Sequence, residues 1–342
     1  MVEIMDTTLR DGEQTSGISF TVVEKLNIAK FLLGEVQVDR IEVASARVSN
    51  GELASVKKIT EWAGKNGYLD RVEVLGFVDG KKSIDWIREA GGRVVNLLCK
   101  GSRRHVEVQL RKTLEEHLRD IKEVIDYARQ FDMDINVYLE DWSNGMKDSP
   151  DYVFALIDAL SKESIKRFML PDTLGVLNPY RTEEYITQVV SRFPELSFDF
   201  HAHNDYGLAI ANCLAAIKAG VKGIHTTVNG LGERAGNAEL AATVVNIHDQ
   251  LGIRTGINEK KLYEISTLVE RFSGERVPSN LPVVGGNVFT QVSGVHADGD
   301  NKGNLYCNDL LPERFGRTRK YALGKTSGKA SIKKNLEHLG IQ

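Results

Sequence analysis

Cysteine is scarce in this chain. Only Cys99, Cys213 and Cys307 occur, far apart in a sequence of 342 residues, which leaves no knuckle-type metal spacing and no redox pair. Cys213 lies in an alanine-rich helical pattern, where a thiol reads as buried packing. No apolar run approaches the roughly 20 residues that span a bilayer, so a membrane-embedded chain is not expected. The start Met1-Val2-Glu3-Ile4-Met5-Asp6 has neither the basic stretch nor the apolar core of a signal peptide. Charge of one sign is missing too. The 44 basic and 47 acidic side chains give a net charge of −3, and nothing global points to nucleic acid or a membrane surface as partner. Sustained heptads, low-complexity tracts and short repeats are also absent. A reducing compartment is expected, with the cytoplasm as the default.

What is present is ordinary globular composition, 42% hydrophobic and 27% charged, arranged as a strand-then-helix alternation. Strand-like runs occur at Glu3–Leu9, Arg40–Ala44, Arg71–Phe77, Val94–Leu98, Ile135–Leu139, Arg167–Leu170, Ser197–Phe200 and Gly223–Val228. Helical patterns follow most of them, for example Val22–Val36, Glu115–Phe131 and Ala238–Leu251, with Asn50, Ser83, Thr113 and Ser149 placed to cap helices. Eight β/α units within about 250 residues predict an α/β chain folded as a closed (β/α)8 TIM barrel. An open doubly wound sheet is the alternative. The expected division is a catalytic barrel over 1–255 and a mainly helical C-terminal linker or lid over 256–342.

Chemistry in such barrels sits at the C-terminal ends of the strands. The polar singularities of the sequence fall there: Arg10-Asp11 after strand 1, Glu140-Asp141 after strand 5, Asp172-Thr173 after strand 6. Strand 7 runs into His201-Ala202-His203-Asn204, whose alternation puts both histidines on one face. Imidazoles about 6–7 Å apart along a strand can share one divalent metal. An isolated H-x-H reads equally well as two unrelated histidines; the Arg-Asp-Gly turn after strand 1 supplies the carboxylate that favours a metal. After strand 8, Gly230-x-Gly232-x-x-x-Gly236 has the wrong spacing and place for a dinucleotide fingerprint. Close backbone approach to a phosphate or carboxylate, or a tight turn needing glycine, are the readings open there.

Asp6-Thr7-Thr8-Leu9-Arg10-Asp11-Gly12-Glu13-Gln14, His201-x-His203-Asn204-Asp205 and Asn229-Gly230-x-Gly232-Glu233-Arg234-Ala235-Gly236-Asn237 resemble the signatures of the DRE-TIM metallolyase superfamily. Within it the chain resembles the 2-isopropylmalate, citramalate and homocitrate synthases. The resemblance implies condensation of the acetyl-CoA methyl carbon with the ketone of a 2-oxo acid, then thioester hydrolysis, in leucine or isoleucine biosynthesis. It implies Asp11, His201, His203 and, more weakly, Asn237 as ligands of Mg²⁺, Mn²⁺ or Zn²⁺, among which the ligand types do not choose. It places Arg10 at the developing oxyanion, against the plainer reading of an ion pair across the barrel mouth. Thr173 matches a position that binds the substrate carboxylate, and Glu140 one that orients substrate or a catalytic group. Gln14, Asn229, Gly230, Gly232 and Arg234 are the implied acetyl-CoA contacts. Leu75, Leu98 and Tyr138 match the side-chain pocket. That apolar set demotes 2-oxoglutarate and leaves 2-oxoisovalerate first, with pyruvate close behind.

The implied base lies outside the barrel. Gly294-Val295-His296-Ala297-Asp298-Gly299 matches a glycine-rich element that donates His296, assisted by Tyr306, to the other subunit of a homodimer. From Arg314 to Lys334 there are eight basic residues and no acid, a bias that could attract the acetyl-CoA phosphates or simply be a solvated face. Two rivals stand beside this reading. A metal-dependent acyl-CoA lyase, such as the hydroxymethylglutaryl-CoA lyases, would be expected to carry a cysteine in the loop after strand 8, where this chain has none. A non-catalytic barrel would not need Arg10, Glu140, Thr173 and His296. The regulatory domain that many of these synthases carry is expected to be absent after Gln342, in a naturally short enzyme or a shortened one.

Overall fold

The computed structural model describes residues 2–341. Eight parallel strands close in sequence order into a barrel: β1 Glu3–Asp6, β2 Arg40–Ser45, β3 Val72–Phe77, β4 Val94–Lys100, β5 Asp134–Glu140, β6 Arg167–Asp172, β7 Phe198–Ala202 and β8 Gly223–Thr226, with β1 pairing both β2 and β8. Around it run α1 Val22–Lys30, α2 Asn50–Asn66, α3 Lys82–Glu89, α4 Leu114–Arg129, α5 Trp142–Asp148, α6 Pro150–Leu160, α7 Pro179–Arg192, α8 Ala209–Lys218 and α9 Leu240–Leu251. The closed barrel, not the open sheet, is the fold. Among the described residues no helix is long and apolar enough to cross a membrane.

Every strand alternates between two environments. Outward residues such as Ile41, Val43, Val137, Leu139 and Phe200 join one apolar core with the helices. Inward residues are of another kind. Met5, Leu75, Tyr138 and Met169 form a small apolar cluster inside the barrel, and below it lies a polar floor. There Arg40 donates to Glu73 at 2.8 Å, to Glu3 at 3.2 Å and to Asp199. Breaking one partner out of a buried ion pair costs about 3–5 kcal/mol, so this floor is a strong constraint on the lumen. At the rim, β2 and β3 shift register between Glu42 and Ser45, a bulge that re-aims the strand end toward the barrel mouth.

Helix starts follow local chemistry, with three departures from the expected caps. Thr113 accepts from the Glu116 amide while Glu116 reaches back, a full capping box. Ser49, rather than Asn50, caps α2, and Asn50 is its first residue. Ser83 lies inside α3, where its hydroxyl donates to Asp79 and accepts from the Phe77 amide, tying helix to strand. Ser149 joins α5 to α6 without a side-chain cap bond.

Beyond the barrel come α10 Leu262–Ser273, the two-residue strands β9 Thr290–Gln291 and β10 Lys320–Tyr321, α11 Gly294–Asn301 and α12 Lys329–His338. The glycine-rich element is a helix: Gly294–Gly299 opens α11. Gly299 accepts its place because any β-carbon there would run into the Tyr306 ring. The basic tail is also less free than its charge suggests. Arg314 pairs with Asp249 at 2.8 Å and with Glu259, Arg319 pairs with Asp300 at 2.9 Å, and Arg317 donates to the Val283 carbonyl at 2.7 Å. Arg317 and Arg319 bond within the extension, and Arg314 ties it to Asp249 of α9. Lys320, Lys325, Lys329 and Lys333 remain exposed.

Candidate active site

At the C-terminal mouth of the barrel a cavity of about 290 Å³ is lined by Arg10, Asp11, Gln14, Leu75, Leu98, Tyr138, Glu140, Thr173, His201 and His203. All ten were singled out from the sequence. Ser45, Phe77, Pro171 and Glu233 complete the wall and were missed. Ser45 arrives through the β2 bulge, which no residue pattern announces, whereas Phe77 is two residues beyond Leu75 on the same strand face and was legible by alternation.

The deepest feature is a cluster of three donors. His201 Nε2 lies 3.1 Å from Asp11 Oδ2, His203 Nε2 lies 3.8 Å from it, and the two imidazole nitrogens are 3.3 Å apart. All three residues are buried. Donors each about 2.0–2.1 Å from a common ion stand roughly 3.0–3.4 Å from one another, so the triangle has the size of a metal's ligand set. Asp11 Oδ1, both Nδ1 atoms and Asn237 Oδ1 are buried without a hydrogen-bond partner, a concentration of unsatisfied atoms that native interiors avoid. Electrostatics suit a cation. Burial would raise Asp11, yet Arg10 and the two histidines outweigh it and hold the carboxyl well below its usual range. Burial, reinforced by His201, pushes the His203 imidazole down to about 4 and keeps it neutral for ligation. The donor set of carboxylate and imidazole therefore fits a divalent metal.

Arg10 is clamped. Its Nε donates to Glu42 at 2.6 Å and its Nη1 sits 3.1 Å from Asp11, while Nη2 donates to the Tyr138 hydroxyl at 3.3 Å. Burial alone would lower it, but Glu42 and Asp11 hold the guanidinium above its ordinary value. Glu42 is fully buried and also accepts from Thr7 at 2.7 Å and Asn96 at 2.8 Å. It is the positioning residue that sequence reasoning overlooked; its signal was an acid at an inward position of β2, two residues after Arg40. The ion-pair reading of Arg10 is met, and the paired guanidinium still lines the cavity.

Thr173 Oγ1 accepts from the Asp141 amide at 2.9 Å, which leaves its hydroxyl proton for a ligand. Glu140 pairs with Lys100 at the rim. Other expected residues lie elsewhere. Asn229 exchanges hydrogen bonds with Ser266 of α10, at 3.0 and 2.5 Å. Gly230, Gly232 and Gly236 take positive φ and fold the loop on itself: a β-carbon at Gly236 would strike the Gly230 carbonyl, and one at Gly232 would strike the Asn237 amide. The tight-turn reading of these glycines accounts for this packing. Arg234 binds Asp205 and the Thr173 carbonyl, each at 2.8 Å. Asn237 donates to the Leu231 carbonyl at 2.9 Å and forms a backbone bridge with His203, which fixes that strand end. His296 and Tyr306 stack with ring centroids 4.3 Å apart in the extension and do not line this cavity.

Comparison with known proteins agrees with this architecture. Residues 1–269 match the HMGL-like family model, and residues 283–342 match the model described as homocitrate synthase post-HMGL domain-like. A 2-isopropylmalate synthase from Sulfurisphaera tokodaii is 38% identical over 341 residues, covering 99% of this chain and 86% of that one. A Methanopyrus kandleri protein named for (R)-citramalate synthase is 39% identical over 341 residues; the match takes in 99% of this chain, which spans 65% of that protein's length. Among solved structures, the HMG-CoA lyase of Bacillus subtilis superposes with a TM-score of 0.69 at 23% identity, over 81% of this chain and 95% of that one, a likeness of fold. The chain belongs to the HMGL-like family of DRE-TIM barrels.

Proposed function

We propose that the chain is an acetyl-CoA-dependent condensing enzyme of the 2-isopropylmalate synthase kind, acting on 2-oxoisovalerate. The observation that carries this reading is the juxtaposition of the Asp11–His201–His203 donor triangle with a clamped Arg10 and an apolar wall inside one 290 Å³ cavity. Asp11, His201 and His203 would hold the metal, with Asn237 supporting His203. When bound, a divalent ion supplies Lewis acidity at the acceptor's ketone. Thr173 offers its hydroxyl proton to the acceptor carboxylate, and Glu140 with Lys100 orders the rim. His296, helped by Tyr306, takes a proton from the acetyl methyl carbon, which attacks the ketone carbon. Arg10 then meets the oxyanion that forms, a preorganised charge effect of the kind worth about 3–4 kcal/mol. Water cleaves the thioester and releases CoA thiol. Gln14 and the loop around Asn229, Gly230, Gly232 and Arg234 are proposed to border the acetyl-CoA path.

The base is proposed to come from a second copy. His296 is half-buried and outside the cavity of its own chain, and Val295, Leu305 and Leu339 of the same extension are exposed apolar side chains, as an interface would present. The barrel over 1–255 and the linker or lid over 256–342 are proposed as the two working units. A second acceptor, pyruvate, is favoured by one feature. The Tyr138 ring, held by Arg10 and flanked by Leu75, Phe77 and Leu98, crowds the end where an isopropyl group would sit. CoA thiol release with 2-oxoisovalerate, pyruvate and 2-oxoglutarate, each with and without added Mg²⁺, Mn²⁺ or Zn²⁺, is the test. Metal-dependent release with an alkyl 2-oxo acid is expected; metal binding with no thiol from any acid contradicts the reading.

A further inference from the structure

Beneath the cavity, two buried groups that the proposed chemistry does not use, Asp199 and His225, form a line with the Tyr138 hydroxyl of the cavity wall. Asp199 on β7 faces His225 on β8, with Oδ2 to Nε2 at 3.4 Å. His225 Nδ1 is 2.9 Å from the Tyr138 hydroxyl on β5. The same hydroxyl takes a hydrogen bond from Arg10 Nη2 at 3.3 Å. Asp199 is itself fixed by Arg40 and by Arg167 at 3.5 Å, and Gly223 is required beside it, since a β-carbon there would overlap the carboxylate. The rings meet edge to face, Tyr138 against His225 at 5.6 Å and 81°.

A carboxylate only accepts, so the His225 proton belongs on Nε2. In the neutral ring Nδ1 is then an acceptor, and the phenolic proton of Tyr138 is the donor that reaches it. Arg10 donates to the phenol oxygen from the other side. The hydroxyl therefore has no proton left for the cavity and presents only oxygen lone pairs, beside Leu75, Phe77 and Leu98. Such a wall accepts an alkyl group and repels a second carboxylate.

We propose that His225, oriented by Asp199, is a positioning residue that fixes the Tyr138 hydroxyl as acceptor-only and so makes the cavity select alkyl 2-oxo acids over those bearing a second carboxylate. This rests on the cavity being the 2-oxo acid site. Two near-isosteric variants separate the contacts of His225. An Asn side chain places its carbonyl oxygen near the Nδ1 position, and a Gln side chain places its amide near Nε2. His225→Asn keeps the bond to Tyr138; His225→Gln keeps only the Asp199 side.

The readout is acceptor binding by calorimetry on metal-loaded protein, with 2-oxoisovalerate, pyruvate and 2-oxoglutarate, which needs no acetyl-CoA and no turnover. Tyr138→Phe and His225→Gln should each lower the preference for the alkyl acids about tenfold, His225→Asn should retain most of it, and metal content should stay at the parent level in all. The Tyr138→Phe/His225→Gln pair should lose about tenfold, not a hundredfold, because His225 acts only through Tyr138. A hundredfold loss in the pair, an unchanged preference in His225→Gln, or loss of metal in that variant overturns the proposal. So does failure of the parent protein to bind any of the acids. A parent that binds and discriminates them as described but releases no CoA thiol contradicts the condensing function and leaves this inference standing.

Discussion

The barrel and the C-terminal extension satisfy their side chains in opposite ways. In the barrel domain a fully buried Lys25 of α1 is met by Glu13 at 2.7 Å and Glu52 at 2.6 Å, and Arg40 of β2 is met by three carboxylates. The extension pairs its arginines but leaves Leu305, Leu339 and Val295 each about two-thirds exposed or more. The barrel has exposed apolar side chains of its own, Val108 and Tyr180 among them, but the shorter extension carries more of them, as an interaction site would. The proposed metal donors lie in the first and the proposed base in the second. The comparison therefore predicts that damage to the barrel is local and chemical, whereas damage to the extension is felt through association.

The largest effect is expected at the donor triangle. His201→Ala should abolish metal binding and reduce CoA release by about a thousandfold or more, the two falling together; full activity in metal-stripped buffer would remove the metal from the account. Arg10→Lys should come next. A guanidinium serves Glu42, Asp11 and Tyr138 at once, and an ammonium cannot keep that fork. Turnover should fall about 100–1000-fold with metal content near the parent value. Normal turnover would reduce Arg10 to an ion-pair residue.

A smaller effect is expected from the extension's surface. Leu305→Asp with Leu339→Asp should shift sedimentation toward the monomer and cut activity about tenfold, with the barrel's thermal transition nearly unchanged. An unaltered sedimentation profile would mean that this surface is not the interface.

The smallest concerns acid stability. His117 on α4 accepts from the Lys100 amide at 3.1 Å, and burial pushes it down to about 4. With the folded value below the unfolded one of 6.5, the unfolded chain binds the proton first. Stability from this group is thus complete above about 6.5 and lost as pH falls toward 4, by about 2–3 kcal/mol. His117→Gln keeps an acceptor that does not titrate, so the parent-minus-variant difference in unfolding free energy should slope across that window. A flat difference would show that His117 does not titrate with folding.

Much of the barrel was legible because its period is simple. Strand starts and ends predicted from apolar runs fall within about three residues of the observed ones, as for Arg40–Ala44 against Arg40–Ser45, and ten cavity residues came from strand-end chemistry and family motifs. What escaped depended on three-dimensional pairing. Glu42, Asp199 and His225 were hidden in runs that read as ordinary strands, since only barrel closure brings β2, β5, β7 and β8 around one lumen. The family motif placed Asn229 and Arg234 near acetyl-CoA, but their partners within the fold come from distant segments and had no signal in the sequence. Here Ser266 and Asp205 bind them. The helix at Gly294–Asn301 escaped because its glycines speak against helix.

One active centre is proposed to combine the barrel's metal donors with an extension histidine from a different copy. Mixing His201→Ala with His296→Ala protein tests it most directly, because each variant alone should be nearly inactive. With subunit exchange confirmed by labelled chains, half of the dimers are mixed and each holds one intact centre of two, so CoA release should recover to about a quarter of the parent rate. No recovery in freely exchanging dimers would contradict donation of His296 between copies.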